Sequence, residues 1–278
     1  MDFVDRLIDL ALEEDLGAAG DVTTQALVPE GARGRAELWA KEPLVLAGTR
    51  AFARVFTRLE PGAEVRFSET EGARIAGRAV IGQVAASLRT LLIGERTALN
   101  ILQRTCGIAT LAARAADAVR GSKLRIIDTR KTSPGMRGLS KEAVRAGGAS
   151  NHRFGLFDGV LIKDNHLAAV GGDVREALRR ARAHAPLLVK IEIEITRLDQ
   201  LPDAIAGGAD VVLLDNMDDA TVAQAVKLAA GKVLFEASGN VTIERLPKLA
   251  QTGVDFVSMG ALTHSARAMD LSLEIVER

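Results

Sequence analysis

The sequence predicts an α/β protein in which a small N-terminal α+β domain precedes a parallel α/β barrel. The chain has 278 residues and is 47% hydrophobic, which is enough for a sizeable core. Short apolar segments separated by Gly and Pro fill its first part, and such segments are typical of strands. From residue 124 onward, apolar segments alternate with helical ones at the spacing of βαβ units.

The first domain is expected to span residues 1–104. A helical pattern over residues 2–16 opens it, and Gly17 ends that helix. Four segments then predict strands, GRAELWAKE, LVLAG, AEVRFSE and RAVIGQVAAS, and TRAFARVFTRL predicts a helix. A long helix from about Glu95 to Arg120 leads into the second domain, residues 105–278, whose last helix, 265–278, is expected to pack back on the first domain.

The second domain carries six predicted strands, and polar residues follow nearly all of them. The segments are LRIID, GVLIKD, LLVKIEIEI, DVVLLDN, KVLFEAS and VDFVSMG. An α/β barrel builds its active site at the carboxyl ends of several strands, whereas a doubly wound sheet binds its ligand at one crevice and often carries a glycine fingerprint. Neither GxGxxG after a strand nor GxxxxGK[ST] occurs. The barrel is therefore the predicted architecture.

Composition argues against several classes of function. Lys plus Arg and Asp plus Glu both total 36, so the chain lacks the basic footprint of a nucleic-acid-binding protein. Tyr is absent and aromatic residues are 3%, which leaves few surfaces for stacking bases. The single cysteine, Cys106, can form no intramolecular disulfide and is expected to be buried. No signal-peptide pattern and no apolar run near the ~20 residues of a membrane span occur, so a soluble, cytoplasmic protein without a membrane partner is expected.

Cations accumulate where the barrel begins. Between Asp128 and His166 stand seven Lys and Arg residues against four acidic ones, in a chain of zero net charge. Lys141 and Arg145 fit a solvated helix face better than a site. Four others stand at strand ends or beside the Gly-rich turn and can converge on one cavity: Arg130, Lys131, Arg153 and Lys163. Such a group suits a ligand with several negative charges, because Arg and Lys bind carboxylates and phosphates.

Acidic residues complement these cations on the strand VKIEIEI. Side chains alternate along a strand, so Lys190, Glu192 and Glu194 share one face. For Glu192, an internal ion pair with Lys190 and a ligand-facing role are equally open, because a buried carboxylate needs a partner or a metal. Glu194 and Asp215, nearer their strand ends, are expected to face the ligand. Two such acids beside cations indicate ribose hydroxyls or a polyphosphate chelated by Mg²⁺.

Two late loops and one histidine add to this site. EASGN and SMGALTHS place small residues just after strands, where barrels commonly hold a phosphate on backbone N–H groups. Among the four histidines, His152 in NHR is the expected substrate contact, and no HExxH spacing occurs.

Five motifs together resemble the quinolinate phosphoribosyltransferase family: ERTALNILQRTCGIAT, DTRKTSPGMR, NHRFGLFDGVLIKDNH, LLDN and GALTHS. The resemblance covers nearly the whole chain, from GDVTTQ at residue 20 to GALTHS at residue 265. It implies the type II phosphoribosyltransferase fold, an N-terminal α/β sandwich domain followed by an incomplete α/β barrel, in a homodimer or a higher oligomer. The implied reaction joins quinolinate to phosphoribosyl pyrophosphate with Mg²⁺ in de novo NAD synthesis. Its products are nicotinate mononucleotide, pyrophosphate and CO₂.

The resemblance also assigns residues. Around quinolinate it places Thr129, Arg130, His152, Arg153 and Lys163, with Arg96 reaching the same pocket from the neighbouring subunit. Phosphoribosyl pyrophosphate would meet Lys163 and three catalytic residues, Lys131, Glu194 and Asp215, of which the two acids would hold ribose hydroxyls or Mg²⁺. The 5′-phosphate would lie on Ser238, Gly239, Asn240 and Gly260.

Other functions remain open on the residues alone. A Schiff-base aldolase on a similar barrel would use Lys163 or Lys190 as its amine. A regulatory homologue would keep the anion pocket without the chemistry. A sister transferase would use another pyridine or a different small ring acid.

Overall fold

The computed structural model describes residues 3–277. In that range the helices are α1 (Phe3–Leu16), α2 (Val22–Leu27), α3 (Thr49–Leu59), α4 (Leu88–Ala118), α5 (Arg137–Ala146), α6 (Asp164–Ala168), α7 (Val174–His184), α8 (Leu201–Ala206), α9 (Asp219–Ala229), α10 (Leu246–Thr252) and α11 (Ala261–His264). The strands are β1 (Arg33–Ala40), β2 (Leu44–Val45), β3 (Glu64–Phe67), β4 (Arg74–Ile75), β5 (Ala79–Ser87), β6 (Arg125–Ile127), β7 (Val160–Ile162), β8 (Ile191–Ile195), β9 (Val211–Asp215), β10 (Leu234–Ser238), β11 (Phe256–Ser258) and β12 (Leu271–Glu277).

The chain divides into two compact units that are not contiguous in sequence. The first comprises the residues up to 113, residues 132–148 and those from 262 onward, and the second comprises residues 114–131 and 149–261. The division predicted from sequence, 1–104 and 105–278, allowed for the C-terminal segment to pack on the first domain but does not anticipate that residues 132–148 belong with the first unit.

The first unit is built on an antiparallel sheet with the strand order β12-β1-β5-β3. Its core includes α3, whose Phe52, Val55 and Phe56 are fully buried at helical spacing. The rings of Phe52 and Phe56 lie 5.3 Å apart, and burying each such side chain contributes about 1.5–3 kcal/mol. Cys106 is buried in the same core, as predicted, and burial raises the pKa of its thiol to about 12.

The predicted C-terminal helix, 265–278, was wrong. Residues 271–277 form β12, which pairs antiparallel with β1. Leu271 and Leu273 are buried while Ser272 and Glu274 between and after them are not, so the apolar period is two. That period specifies a strand and not a helix.

The second unit contains the six predicted parallel strands, in the order β6-β11-β10-β9-β8-β7. Its first strand, β6, pairs with its last, β11, which is the closure of a barrel and not the order of a doubly wound sheet. No pairing joins β6 to β7 in the described chain, and a bridge between Ile127 and Ser150 extends the β6 edge instead. The barrel is therefore incomplete, as predicted, and the carboxyl ends of all six strands lie at one end of it.

Two helices of the second unit, α7 and α9, begin at acidic caps. Asp173 accepts a hydrogen bond from the backbone N–H of Glu176 at the start of α7, and Asp218 accepts one from Thr221 at the start of α9. These caps satisfy backbone donors at the helix starts, each stabilising its helix by about 1 kcal/mol. No helix among residues 3–277 is both long and apolar enough to cross a membrane.

Candidate active site

A cavity of about 510 Å³ lies at the carboxyl ends of the strands in the second unit. This carboxyl-end cavity brings together eleven of the residues predicted from sequence: Thr129, Arg130, Lys131, His152, Arg153, Lys163, Glu194, Asp215, Ser238, Gly239 and Asn240. Its lining also includes Asn216, Glu236 and Ser258, which the sequence marked only as polar residues at strand ends. Gly260 lies two residues after β11 and is not part of the lining.

Two guanidinium groups meet in this cavity. Arg153 donates from Nη1 to the carbonyl oxygen of Gly159 at 2.7 Å, while its Nε is buried and has no hydrogen-bond partner within residues 3–277. Burial lowers the pKa of Arg153, and the neighbouring positive charge of Arg130 lowers it further. A buried, unsatisfied donor beside a like charge is costly until an anion binds. The pair is therefore arranged for a carboxylate or phosphate ligand.

Asp128 holds the loop that carries Arg153. This carboxylate is fully buried at the end of β6. It accepts hydrogen bonds from Nδ2 of Asn151 at 2.6 Å and from the backbone N–H of His152 at 2.8 Å. The NHR segment is thereby attached to the first strand of the barrel, which fixes where His152 and Arg153 point.

His152 is bonded to two buried carboxylates inside the barrel. Its Nε2 lies 2.8 Å from Oε2 of Glu192 and 3.4 Å from Oε2 of Glu236. The ion pair between Glu192 and Lys190, one of the two possibilities from the sequence, is not what the structure shows. Glu192 uses His152 instead, because β8 turns its inward face toward the NHR loop.

The carboxylates decide the protonation of this histidine. Burial opposes the charged ring, but the hydrogen bonds to Glu192 and Glu236 outweigh it and raise the pKa of His152 to about 10. Burial raises the pKa of Glu192, to about 7. The backbone N–H of Arg153 lies 2.7 Å from Nδ1, a contact that favours the neutral ring and so opposes the effect of the two carboxylates. In the neutral ring with Nδ1 as acceptor, and in the charged ring, Nε2 carries a proton that faces Glu192.

These three side chains are close enough to be considered as a metal site. Their ligand atoms lie within 4.8 Å of one another. However, a ring nitrogen that bears a proton has no lone pair for a metal, and here Nε2 donates to Glu192. We therefore describe His152, Glu192 and Glu236 as a hydrogen-bonded cluster, and the name buried cluster is used for them below.

A second set of acids lies nearer the mouth of the cavity. Oε2 of Glu194 accepts from Nζ of Lys163 at 3.0 Å, and Oδ2 of Asp215 accepts from Nδ2 of Asn216 at 2.8 Å. Both carboxylates keep a further oxygen that can accept from hydroxyl groups. Two carboxylates beside substrate phosphates also match the way Mg²⁺ is held in proteins, so Glu194 and Asp215 fit the predicted role.

The turn after β10 is shaped for an anion as well. Gly239 and Asn240 have φ angles of 96° and 49°, both in the left-handed region, so the turn departs sharply from the strand. Oγ of Ser258 lies 3.0 Å from Oγ of Ser238 and joins the turn to the neighbouring strand end. Successive N–H groups in such a turn can bind phosphate oxygens.

Arg96 lies in the first compact unit. Its side chain is 60% exposed, and its nearest acid is Glu95 at 3.8 Å. It lines a cavity of about 340 Å³ with the acidic residues Glu14 and Asp15. The predicted role of Arg96 in a partner's active site concerns a second chain.

An incomplete parallel barrel with a cation-lined cavity at its carboxyl ends defines the class: this is the type II phosphoribosyltransferase fold. Family models for the N-terminal and C-terminal domains of quinolinate phosphoribosyl transferase match residues 21–106 and 108–274. The chain belongs to the quinolinate phosphoribosyltransferase family.

Individual relatives agree with this assignment along the whole chain. A nicotinate-nucleotide pyrophosphorylase [carboxylating] of Mycobacterium leprae is 44% identical over 270 residues, which are 95% of this chain and 94% of that protein. A probable enzyme of the same name from Bacillus subtilis is 41% identical over 270 residues, 97% of this chain and 92% of that protein. The crystal structure of NadC from Streptococcus pyogenes superposes with a TM-score of 0.94 at 37% identity and covers 99% of this chain and 97% of that one.

Proposed function

We propose that the chain transfers the phosphoribosyl group of phosphoribosyl pyrophosphate to quinolinate and decarboxylates the product to nicotinate mononucleotide. One observation carries this proposal: four cations from three different segments share one cavity with two carboxylates, namely Arg130, Lys131, Arg153 and Lys163 with Glu194 and Asp215. Relatives named for this reaction match the chain over nearly its whole length.

The positive charges of the cavity complement the negative charges of the substrates. Quinolinate is a dianion, and its partner carries a phosphate and a pyrophosphate, so many negative charges must meet at short range. Arg130 and Arg153 bind the ring carboxylates, because two guanidinium groups side by side offer bidentate hydrogen bonds. Lys131 and Lys163 neutralise the phosphoribosyl pyrophosphate as point charges. Where a bound substrate shields these contacts from bulk water, each of them becomes stronger than in solution.

The carboxylates act on the ribose. Loss of pyrophosphate develops positive charge at C1 of the ribose, and Glu194 and Asp215 stabilise that charge or hold the hydroxyls next to it. Mg²⁺, which we propose as the cofactor, would be held by these two residues together with the substrate phosphates and would supply charge neutralisation to the leaving pyrophosphate. The turn at Ser238–Asn240 binds the 5′-phosphate.

Decarboxylation needs no further group from the chain. Once the pyridine nitrogen carries the ribose it is positively charged. The bond between C2 and its carboxylate breaks, CO₂ leaves, and the electron pair remains on C2 next to the cationic nitrogen until a proton from water replaces the lost carboxylate.

The decisive assay measures quinolinate-dependent release of pyrophosphate and CO₂. Arg130→Ala should lower turnover by at least ~3 kcal/mol of transition-state binding, which is more than about 100-fold. Arg66→Ala is the control, because the side chain of Arg66 is 81% exposed on β3 and does not line this cavity. Near-normal turnover of the Arg130 variant would remove this residue from the site. Nicotinate replacing quinolinate as the better acceptor would indicate a sister transferase.

We further propose a homodimer, or a higher oligomer built from it, in which Arg96 enters the neighbouring subunit's site. The support is the exposure of this side chain and its weak pairing at 3.8 Å. Mixing Arg96→Ala with Lys163→Ala protein should restore part of the activity through heterodimers. Absence of rescue, with heterodimers shown by native mass spectrometry, would contradict a shared site. A cytoplasmic location is also proposed, and cell fractionation tests it.

The aldolase is the weaker candidate. A nucleophilic lysine needs desolvation or neighbouring cations. Nζ of Lys163 instead forms an ion pair with Glu194 at 3.0 Å. Borohydride trapping with aldehydes or ketones should therefore leave this lysine unmodified. A regulatory homologue would bind quinolinate in calorimetry without releasing pyrophosphate.

A further inference from the structure

Asn216 follows β9 and touches two parts of the carboxyl-end cavity at once. Its Nδ2 donates to Oδ2 of Asp215 at 2.8 Å, and its Oδ1 accepts from Nδ2 of Asn240 at 3.4 Å. Its backbone N–H donates to the carbonyl oxygen of Ser238 at 2.9 Å. One side chain therefore joins the carboxylate after β9 to the turn after β10.

The backbone around Asn216 is shaped for this contact. Asn216 has a φ angle of 53°, in the left-handed region that Asn tolerates better than most residues. Gly239 packs directly against its amide, and a Cβ at position 239 would collide with the Asn216 side chain. The glycine is therefore needed both for its φ of 96° and for the room it leaves to Asn216.

A second set of hydrogen bonds holds the loop that follows Asn216. Arg245, in the segment before α10, donates to the carbonyl oxygen of Met217 at 2.7 Å and to Oδ1 of Asp219 at 2.8 Å. Because Arg245 fixes the residues that follow Asn216, the amide of Asn216 has little freedom to move away from the turn. Asn216 thus adds a side-chain link between the Asp215 carboxylate and the turn to the strand pairing of Asp215 with Ser238.

We propose that Asn216 is a positioning residue that sets the spacing between the Asp215 carboxylate and the Ser238–Asn240 turn, and thereby selects a ribose bearing both hydroxyls and a 5′-phosphate. The inference rests on the proposed function, in which Asp215 meets the hydroxyls and the turn meets the phosphate. An amide suits this role because it donates to the carboxylate and accepts from Asn240 without adding a charge.

Two variants separate positioning from backbone conformation. Asn216→Gly keeps the left-handed φ and removes both side-chain bonds, while Asn216→Asp keeps the size and the acceptor but repels Asp215. Each lost bond is worth roughly 1 kcal/mol, so both variants should weaken phosphoribosyl pyrophosphate binding about tenfold or more. KM for quinolinate should stay within about twofold. The matched control is Ala230→Gly, which changes another left-handed residue, φ 48°, that does not line the cavity.

Binding is measured by calorimetry with ribose 5-phosphate and with phosphoribosyl pyrophosphate, and KM by pyrophosphate release. Normal affinity in Asn216→Gly would overturn the inference, because only the backbone conformation would then matter. An equal loss for quinolinate would also overturn it, since the defect would be general. If the wild-type protein binds phosphoribosyl pyrophosphate but releases no pyrophosphate with quinolinate, the proposed function fails while the binding comparison still decides the role of Asn216. If it binds no phosphoribosyl ligand, both fail.

Discussion

Replacing His152 by leucine should destabilise the protein in a way that depends on pH. His152, Glu192 and Glu236 have side chains that are only 16%, 8% and 3% exposed, so the histidine is the partner of two carboxylates that water barely reaches. Removing one partner from a buried ionic group costs about 3–5 kcal/mol, because the charges that remain have no compensation. His152→Leu should therefore lose about that much unfolding free energy at pH 8.

The sign of the pH dependence follows from Glu192, because burial raises the pKa of its carboxyl group. The pKa of Glu192 is raised from 4.5 to about 7, and its hydrogen bond to His152 holds it below what burial alone would produce. In His152→Leu this hydrogen bond is absent, so the pKa of Glu192 should rise further. A carboxyl with a raised folded-state pKa contributes stability that is present below its unfolded pKa and lost as pH rises through the folded value. Because the raised pKa of His152 stabilises the wild-type protein most below pH 6.5, the variant should already be less stable than the wild type at pH 5. Ionisation of the unpartnered carboxyl group adds to this deficit as the pH rises, so the variant should be weakest at pH 8.

Urea unfolding followed by circular dichroism at pH 5, 6, 7 and 8 measures this dependence. The companion variant His152→Leu/Glu192→Leu/Glu236→Met removes all the charges and should lose the pH slope while regaining stability. A deficit of the same size at pH 5 and pH 8 would show that lost packing, and not uncompensated charge, is responsible. A loss below ~1 kcal/mol at pH 8 would show that the carboxylates are not desolvated.

Three further predictions concern the first compact unit. Cys106 should resist alkylation by iodoacetamide at pH 8 until the protein is unfolded, because burial raises its pKa to about 12; rapid native labelling would contradict the burial. Gly147→Ala, just after α5, should lose about 1–3 kcal/mol of unfolding free energy in urea, because the new Cβ would meet the Ala109 carbonyl oxygen. Gly138→Ala within α5 has open space and should leave stability unchanged or raise it. Burial raises the pKa of Glu60, but hydrogen bonds from the backbone N–H of Ser87 and from Arg33 outweigh it and lower the pKa to about 2. The stability that the ionised carboxylate contributes is therefore present above pH 4.5 and lost as the pH falls toward 2. Glu60→Gln should make the melting temperature less dependent on pH between these values, and an unchanged dependence would contradict this role.

The sequence predicted those residues of the cavity that follow directly from the order of strands along the chain. Polar residues such as Arg130, Lys163 and Asp215 stand at the ends of apolar segments, and parallel strands bring their carboxyl ends to one edge. No three-dimensional information is needed for that inference beyond the choice of a barrel. The chain therefore revealed most of the cavity lining, although not how the residues bond to each other inside it.

The contacts within the buried cluster could not be predicted from the sequence, for a physical reason. Lys190 is the cation closest to Glu192 in sequence, but residues two apart on a strand point the same way and stand well separated along it. His152 is 40 positions away in sequence and still lies 2.8 Å from Glu192, because the NHR loop bends inward under the control of Asp128. Such a contact depends on loop geometry, which composition and periodicity do not encode.

The sequence analysis missed both β12 and the contacts of Asn216, for two different reasons. β12 had a signal, the alternation of Leu271 and Leu273 with polar residues, which a period of two identifies as a strand. Asn216 had only its place after a strand, and its role depends on the left-handed turn at Gly239 in the next loop. The first could be corrected by closer attention to periodicity, but the second required the structure.

The division of acids in the barrel explains why the cavity remains open to anions. Glu192 and Glu236 are engaged by His152, Glu194 by Lys163, and Asp215 by Asn216. Arg153 is left with a buried Nε that no acid reaches, beside the like charge of Arg130. A ligand that brings its own negative charge would relieve the repulsion between these guanidinium groups. The buried carboxylates thus hold His152 beneath the site, and the charges of Glu192 and Asp158 partly offset the effect of Arg130 on the pKa of Arg153.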